Sequence, residues 1–96
     1  MSVRVDFSNE LVARTGTNQV QVSLAGKETT LATLVERMSE QYGPQVRSGL
    51  MEGDRLRKDT VAVRETERGQ ERLTPDSTVH SGDTIHFQRR SKPTPA

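Results

Sequence analysis

Ninety-six residues suffice for one domain, and a net charge of +1 removes the charge imbalance that usually accompanies disorder. Val, Leu, Ile and Phe make up 20 of the 96 residues, just above the level of about 20% below which highly charged chains stay unfolded, so a folded domain with a thin core is expected. The absence of Cys excludes a disulfide scaffold, an iron–sulfur cluster and a thiolate nucleophile, and no apolar run is long enough to span a membrane.

The charge is unevenly placed. Residues 1–87 carry 11 Lys and Arg against 13 Asp and Glu, a balance of −2, whereas residues 88–96 carry Arg89, Arg90 and Lys92 with no acid. The expected organisation is a domain over residues 1–87 and a basic, Pro-containing flexible tail over 88–96. The N-terminus has no apolar h-region, so a cytoplasmic protein is expected.

Along the chain, Val3, Val5 and Phe7 alternate with Arg4 and Asp6, the period of a half-buried strand. After the turn signal Gly16–Thr17–Asn18, the alternation of Val20, Val22 and Leu24 predicts a second strand. It pairs with the first through a long connection, and Ala25–Gly26–Lys27 closes it. The period then changes. Leu31, Leu34, Val35, Met38 and Tyr42 fall at i, i+3, i+4, i+7 and i+11, one stripe of a helix. Thr30 is the expected N-cap, and Gly43–Pro44 the stop. The spacing predicts a helix over about residues 30–42 with the whole stripe, Tyr42 included, in the core. Residues 45–58 read as irregular, with a helical turn at Val46, Leu50 and Met51. Arg55, Arg57 and Lys58 form a small basic run read as a solvated loop.

Thr60–Thr66 predicts a third strand, with Val61 and Val63 inward. Glu65–Gly69 is a polar turn, Leu73 starts a short fourth strand, and Val79 is tucked under the sheet. Ser81–Gly82–Asp83 is a tight turn into a last strand, Thr84–Phe87. Gly82 supplies a positive φ there and Asp83 a turn-capping carboxylate. One helix on one face of a mixed, four- to five-stranded sheet is an α+β arrangement. The expected core is Val3, Val5, Val20, Val22, Leu31, Leu34, Val35, Met38, Leu50, Val61, Val63 and Ile85.

This order resembles the ubiquitin-like β-grasp fold. It looks most like the branch that holds the small subunit of molybdopterin synthase and the thiamine sulfur carrier. Four segments carry the resemblance, over about residues 3–87. The first is VRVDFSNELVARTG with its Phe7, Leu11 and Gly16 spacing. The others are TTLATLVERMSEQYG, DTVAVRET, and TVHSGDTIHF with Val79, Gly82, Asp83, Ile85 and Phe87. The resemblance implies a small ubiquitin-like protein, not an enzyme, that presents its sheet face and C-terminal tail to a protein partner. That partner would be an ATP-dependent activating enzyme or a larger synthase subunit. In carriers of this family the chemistry happens at the terminal carboxylate after Gly-Gly, because a narrow channel admits only residues without side chains. Here the printed chain reads Lys92–Pro93–Thr94–Pro95–Ala96, and its last glycine is Gly82. Three expectations follow: a protein that is not a standard carrier, a native chain that continues past Ala96, or use of another terminus. If the chain is a carrier as it stands, Ala96 is the attachment point. The alternative is a diverged interaction module that has lost carrier chemistry and binds an acidic partner through Arg89, Arg90 and Lys92. Nucleic-acid binding by the same tail is the weaker expectation, since no aromatic is interleaved for stacking.

Other chemistry finds little footing. His80 and His86 flank the Gly82–Asp83 turn, with Asp76 and Asp83 close in sequence. Surface imidazoles are expected there rather than a metal site. Glu65 and Glu67 stand beside Arg64 and Arg68, where solvated pairs are the default. No Ser lies in a G-x-S-x-G elbow and no Gly-rich phosphate loop is present. No cofactor, metal or membrane contact is expected.

Overall fold

The computed structural model describes residues 2–24, 26 and 28–89. In chain order they form β1 (Ser2–Phe7), α1 (Asn9–Thr15), β2 (Gln19–Ser23), β3 (Glu28–Thr30), α2 (Leu31–Tyr42), α3 (Gln45–Leu50), β4 (Met51–Glu52), β5 (Arg55–Leu56), β6 (Thr60–Thr66), β7 (Gly69–Leu73), β8 (Thr78–His80) and β9 (Thr84–Arg89). Five strands make the main sheet in the order β2-β1-β9-β6-β7, and β3-β8 and β4-β5 form two small ribbons. β1 and β9 run parallel at the centre, with Val5 opposite Ile85 and Phe7 opposite Phe87. All other neighbours are antiparallel. A parallel pair needs a crossover, and the chain between β1 and β9 supplies it.

Alternation fixes which side chains meet the helices. Val3, Val5, Phe7, Val20, Val22, Ile85 and Phe87 point inward and join Leu31, Leu34, Val35 and Met38 of α2 in one core. Phe7 and Phe87 stack with ring centroids 5.6 Å apart and planes 19° apart, which adds about 0.5–1.5 kcal/mol to their burial. α2 begins where its cap predicts: the Thr33 N–H donates to Thr30 Oγ1 at 3.2 Å. α3 contributes Val46 and Leu50 to the same core.

The structure corrects the sequence reading at five places. Residues 9–15, read as connection, form α1. Its Leu11 is buried, and its C-cap Gly16 takes φ 76, a left-handed conformation that favours glycine. In β6 the helix-facing residues are Thr60 and Ala62; Val61 is only half-buried, and Val63 is buried as expected, at 8% exposure, but on the other side of the sheet. Ala62 sits between Leu73 on one side and Phe87 on the other. Tyr42 keeps the stripe's angle but lies about three turns past Leu31, and is 42% exposed. Its hydroxyl donates to the Gln21 carbonyl at 3.4 Å. Leu73 ends β7 rather than starting a strand. Finally, Gln88 and Arg89, placed in the tail by sequence, belong to β9, with Arg89 opposite Thr60.

Candidate interaction face

The helices cover one side of the sheet; among the described residues the other side is open and is built from the alternate residues. These are Arg4 and Asp6 of β1, Gln19 and Gln21 of β2, His86 and Gln88 of β9, Val61, Val63 and Glu65 of β6, and Gln70 and Arg72 of β7. At the centre is His86, opposite Asp6 on one side and Val63 on the other. Its Nδ1 lies 3.5 Å from Asp6 Oδ2 and its Nε2 lies 3.3 Å from Glu65 Oε2. Asp6 Oδ1 also accepts from Gln19 Nε2 at 3.0 Å. A polar line Gln19–Asp6–His86–Glu65 therefore crosses four adjacent strands. Beside it lies a shallow depression of about 210 Å³, whose lining includes Asp6, Ser8, Gln70, His86 and Gln88. Half-buried Val61 provides the apolar part of this face, and Val63, beside His86, is buried.

Sequence alternation already puts Asp6 and His86 on the face opposite Phe7 and Phe87. The parallel register that sets them side by side is a tertiary fact and has no local signal. Neither residue was singled out from sequence for this arrangement.

At one rim of the sheet, Gly82 takes φ 90 and Asp83 organises the turn. Asp83 Oδ2 accepts the His80 backbone N–H at 2.8 Å and Arg64 Nη1 at 3.1 Å. Arg64 also donates to the Thr78 carbonyl at 2.7 Å and to Glu71 Oε1 at 2.8 Å. Burial pulls the Arg64 guanidinium down, but hydrogen bonds to Glu71 and Asp83 outweigh it and hold the group above its ordinary value. Arg64 thus ties β6, β7, β8 and the turn together, a role that sequence reading missed because Arg in a strand reads as solvent-facing.

Both histidines bridge carboxylates through opposite ring nitrogens. His80 Nε2 lies 3.4 Å from Glu28 and its Nδ1 lies 3.8 Å from Asp83. Diverging nitrogens do not converge on one ion, and among the described residues no group of three His, Asp or Glu side chains is arranged to hold a metal. Asp76 and Asp83 do not share a ligand cluster with the histidines. Of the expected tail contacts, Arg89 is exposed at the end of β9. Arg90, Lys92 and Ala96 lie outside the described residues.

On the helical side, Arg14 of α1 forms a two-pronged pair with Asp59, at 3.1 and 2.6 Å. The Arg14 hydrogen bond holds the Asp59 carboxyl at about 2, below the ordinary 3.8, with Thr60 and Arg57 adding to the effect. This pair fastens α1 to the loop before β6 and is remote from the open face.

No protein-family model matches the chain and no curated protein matches it. Solved structures do. Small archaeal modifier protein 1 (SAMP1) from Haloferax volcanii superposes with a TM-score of 0.75 at 16% identity, over 98% of this chain and 100% of its own. A structure of the Amycolatopsis orientalis BexX/CysO complex includes a chain that matches with a TM-score of 0.73 at 15% identity, over 96% of this chain and 99% of that one. A molybdopterin converting factor subunit 1 from Pyrococcus furiosus, itself described as putative, matches with a TM-score of 0.68 at 12% identity, over 95% and 99%. The fold is the ubiquitin-like β-grasp.

Proposed function

We propose that this chain is a small ubiquitin-like protein similar to the sulfur carriers, and that a larger protein partner grips it by its open sheet face and the segment after β9. The observation that carries the reading is the superposition along essentially the whole chain on small modifier and converting-factor proteins. One of those matches is drawn from a two-protein complex. The open face supports the same reading. It has a half-buried apolar residue, Val61, beside a line of hydrogen-bonding groups at Asp6, His86 and Glu65, the mixture that protein interfaces use. β9 carries the chain from the middle of that face to the exposed Arg89. The fitting partners are an ATP-dependent activating enzyme or a larger synthase subunit.

The second reading is a diverged interaction module without carrier chemistry, favoured by the basic run that starts at Arg89. The two separate at the native C-terminus. Intact mass of the protein from its own host, with its C-terminal peptide sequenced, decides between them. A Gly-Gly end or an oxygen-to-sulfur mass shift supports the carrier. An unmodified end at Ala96 contradicts it and leaves the module.

A further inference from the structure

The sheet has two edges, and backbone parity shows what each offers. The Arg4 N–H donates to the Asp83 carbonyl and the Ser8 N–H to the Phe87 carbonyl. Odd-numbered residues of β9 therefore face β1, and even-numbered ones face β6. His86 is paired with Val63, so Val63 directs its backbone toward β9 and Arg64 toward β7. Glu71, opposite Arg64, bonds inward. Gln70 and Arg72 are left with N–H and C=O groups pointing off the sheet. At the other edge the Phe7 N–H donates to the Asn18 carbonyl, so Gln19 and Gln21 face outward. Both of their carbonyls are taken: Thr17 Oγ1 donates to Gln19 and Tyr42 Oη to Gln21, each at 3.4 Å.

Among the described residues nothing comparable covers β7. Among the described residues, no hydrogen bond reaches the backbone of Gln70 or Arg72, and four of the strand's five residues are exposed. The charges on this edge are also unequal. Glu71 is held by Arg64 at 2.8 Å, while Arg68 and Arg72 have no carboxylate partner among the described residues. A partner strand therefore meets two unpaired backbone positions and two uncompensated cations.

We propose that the β7 edge accepts an extended acidic segment of a protein partner as a sixth strand. Its backbone pairs with Gln70 and Arg72, and its carboxylate sits against the Arg72 guanidinium. This surface is separate from the centre of the open face, so the proposal does not rest on the reading given above.

The test is a titration of the whole chain with a short synthetic peptide alternating Glu and Val. Backbone shifts and amide hydrogen exchange are read by NMR. The expected result is slowed exchange at Gln70 and Arg72, with shifts spreading along β7. The same peptide N-methylated at alternate residues should not bind, and a Lys–Val counterpart should bind more weakly. Gln70→Pro removes one outward donor without touching the β6–β7 ladder and should abolish binding. Arg72→Glu keeps the backbone intact and should weaken binding about tenfold. No binding, shifts centred on His86 instead of β7, or equal binding of the Lys–Val peptide would each overturn the proposal.

Discussion

Asp59 shows how one pair leaves a signature in pH. Its carboxyl titrates at about 2 in the folded chain against an ordinary 3.8. A depressed carboxylate stabilises the fold fully above its unfolded value, and loses that contribution as pH falls through the folded one. The contribution is therefore complete above about pH 5 and disappears between about pH 4 and pH 2. Both side chains are 31% exposed, so solvent screening limits the pair to about 1 kcal/mol. Chemical denaturation of Asp59→Asn beside the unsubstituted chain should show a gap that is constant at neutral pH and closes on acidification. Arg64 is the more consequential charge. Arg64→Ala removes one donor from each of Asp83, Glu71 and the Thr78 carbonyl, leaving Asp83 only the His80 N–H, and should cost about 1–2 kcal/mol in the same assay. At Gly82 the conformation was legible from the Ser-Gly-Asp triplet. The partners of Asp83 were not, because Arg64 arrives from a strand 19 residues away.

Elements were legible where period and punctuation agreed. α2 has five stripe residues, a Thr cap and a Gly-Pro stop, and its bounds match the spacing. α1 has seven residues, too few for a period to declare itself, and only Leu11 followed by Gly16 marked it. β6 shows the limit of alternation. Val61, Ala62 and Val63 are apolar on both parities, so the pattern had no phase and the partners Phe87 and Leu73 decided it. The crossing of α1 and α3 gives a test at this scale. Gly49 is buried, and a Cβ there would stand 2.9 Å from Arg14 Cβ and 3.4 Å from the Arg14 backbone. Gly49→Ala gains up to about 1 kcal/mol of helix propensity but must push the helices apart. We expect net destabilisation of about 1–2 kcal/mol, read as a lowered melting temperature.

For the whole molecule, the decisive feature is the central parallel pair. β9 lies between β1 and β6, so residues from opposite ends of the chain build the middle of the sheet. A chain that stops before Thr84 loses Ile85 and Phe87 and both ladders of β9, and should show no cooperative unfolding transition. The same placement aligns Asp6 with His86 and creates the open face. The face is therefore a property of the assembled sheet, which is why spacing pointed to an α+β arrangement, and the family resemblance to the fold, but neither to the Asp6–His86 pairing.

The most direct test of the account is site-specific photocrosslinking in the native host. A photoreactive residue replaces Gln88 on the open face, or Glu36 on the exposed side of α2. The account predicts one protein adduct from position 88, competed away by the unsubstituted chain and absent from position 36. Adducts from position 36 alone, or none from position 88, would contradict a protein that works through its open face.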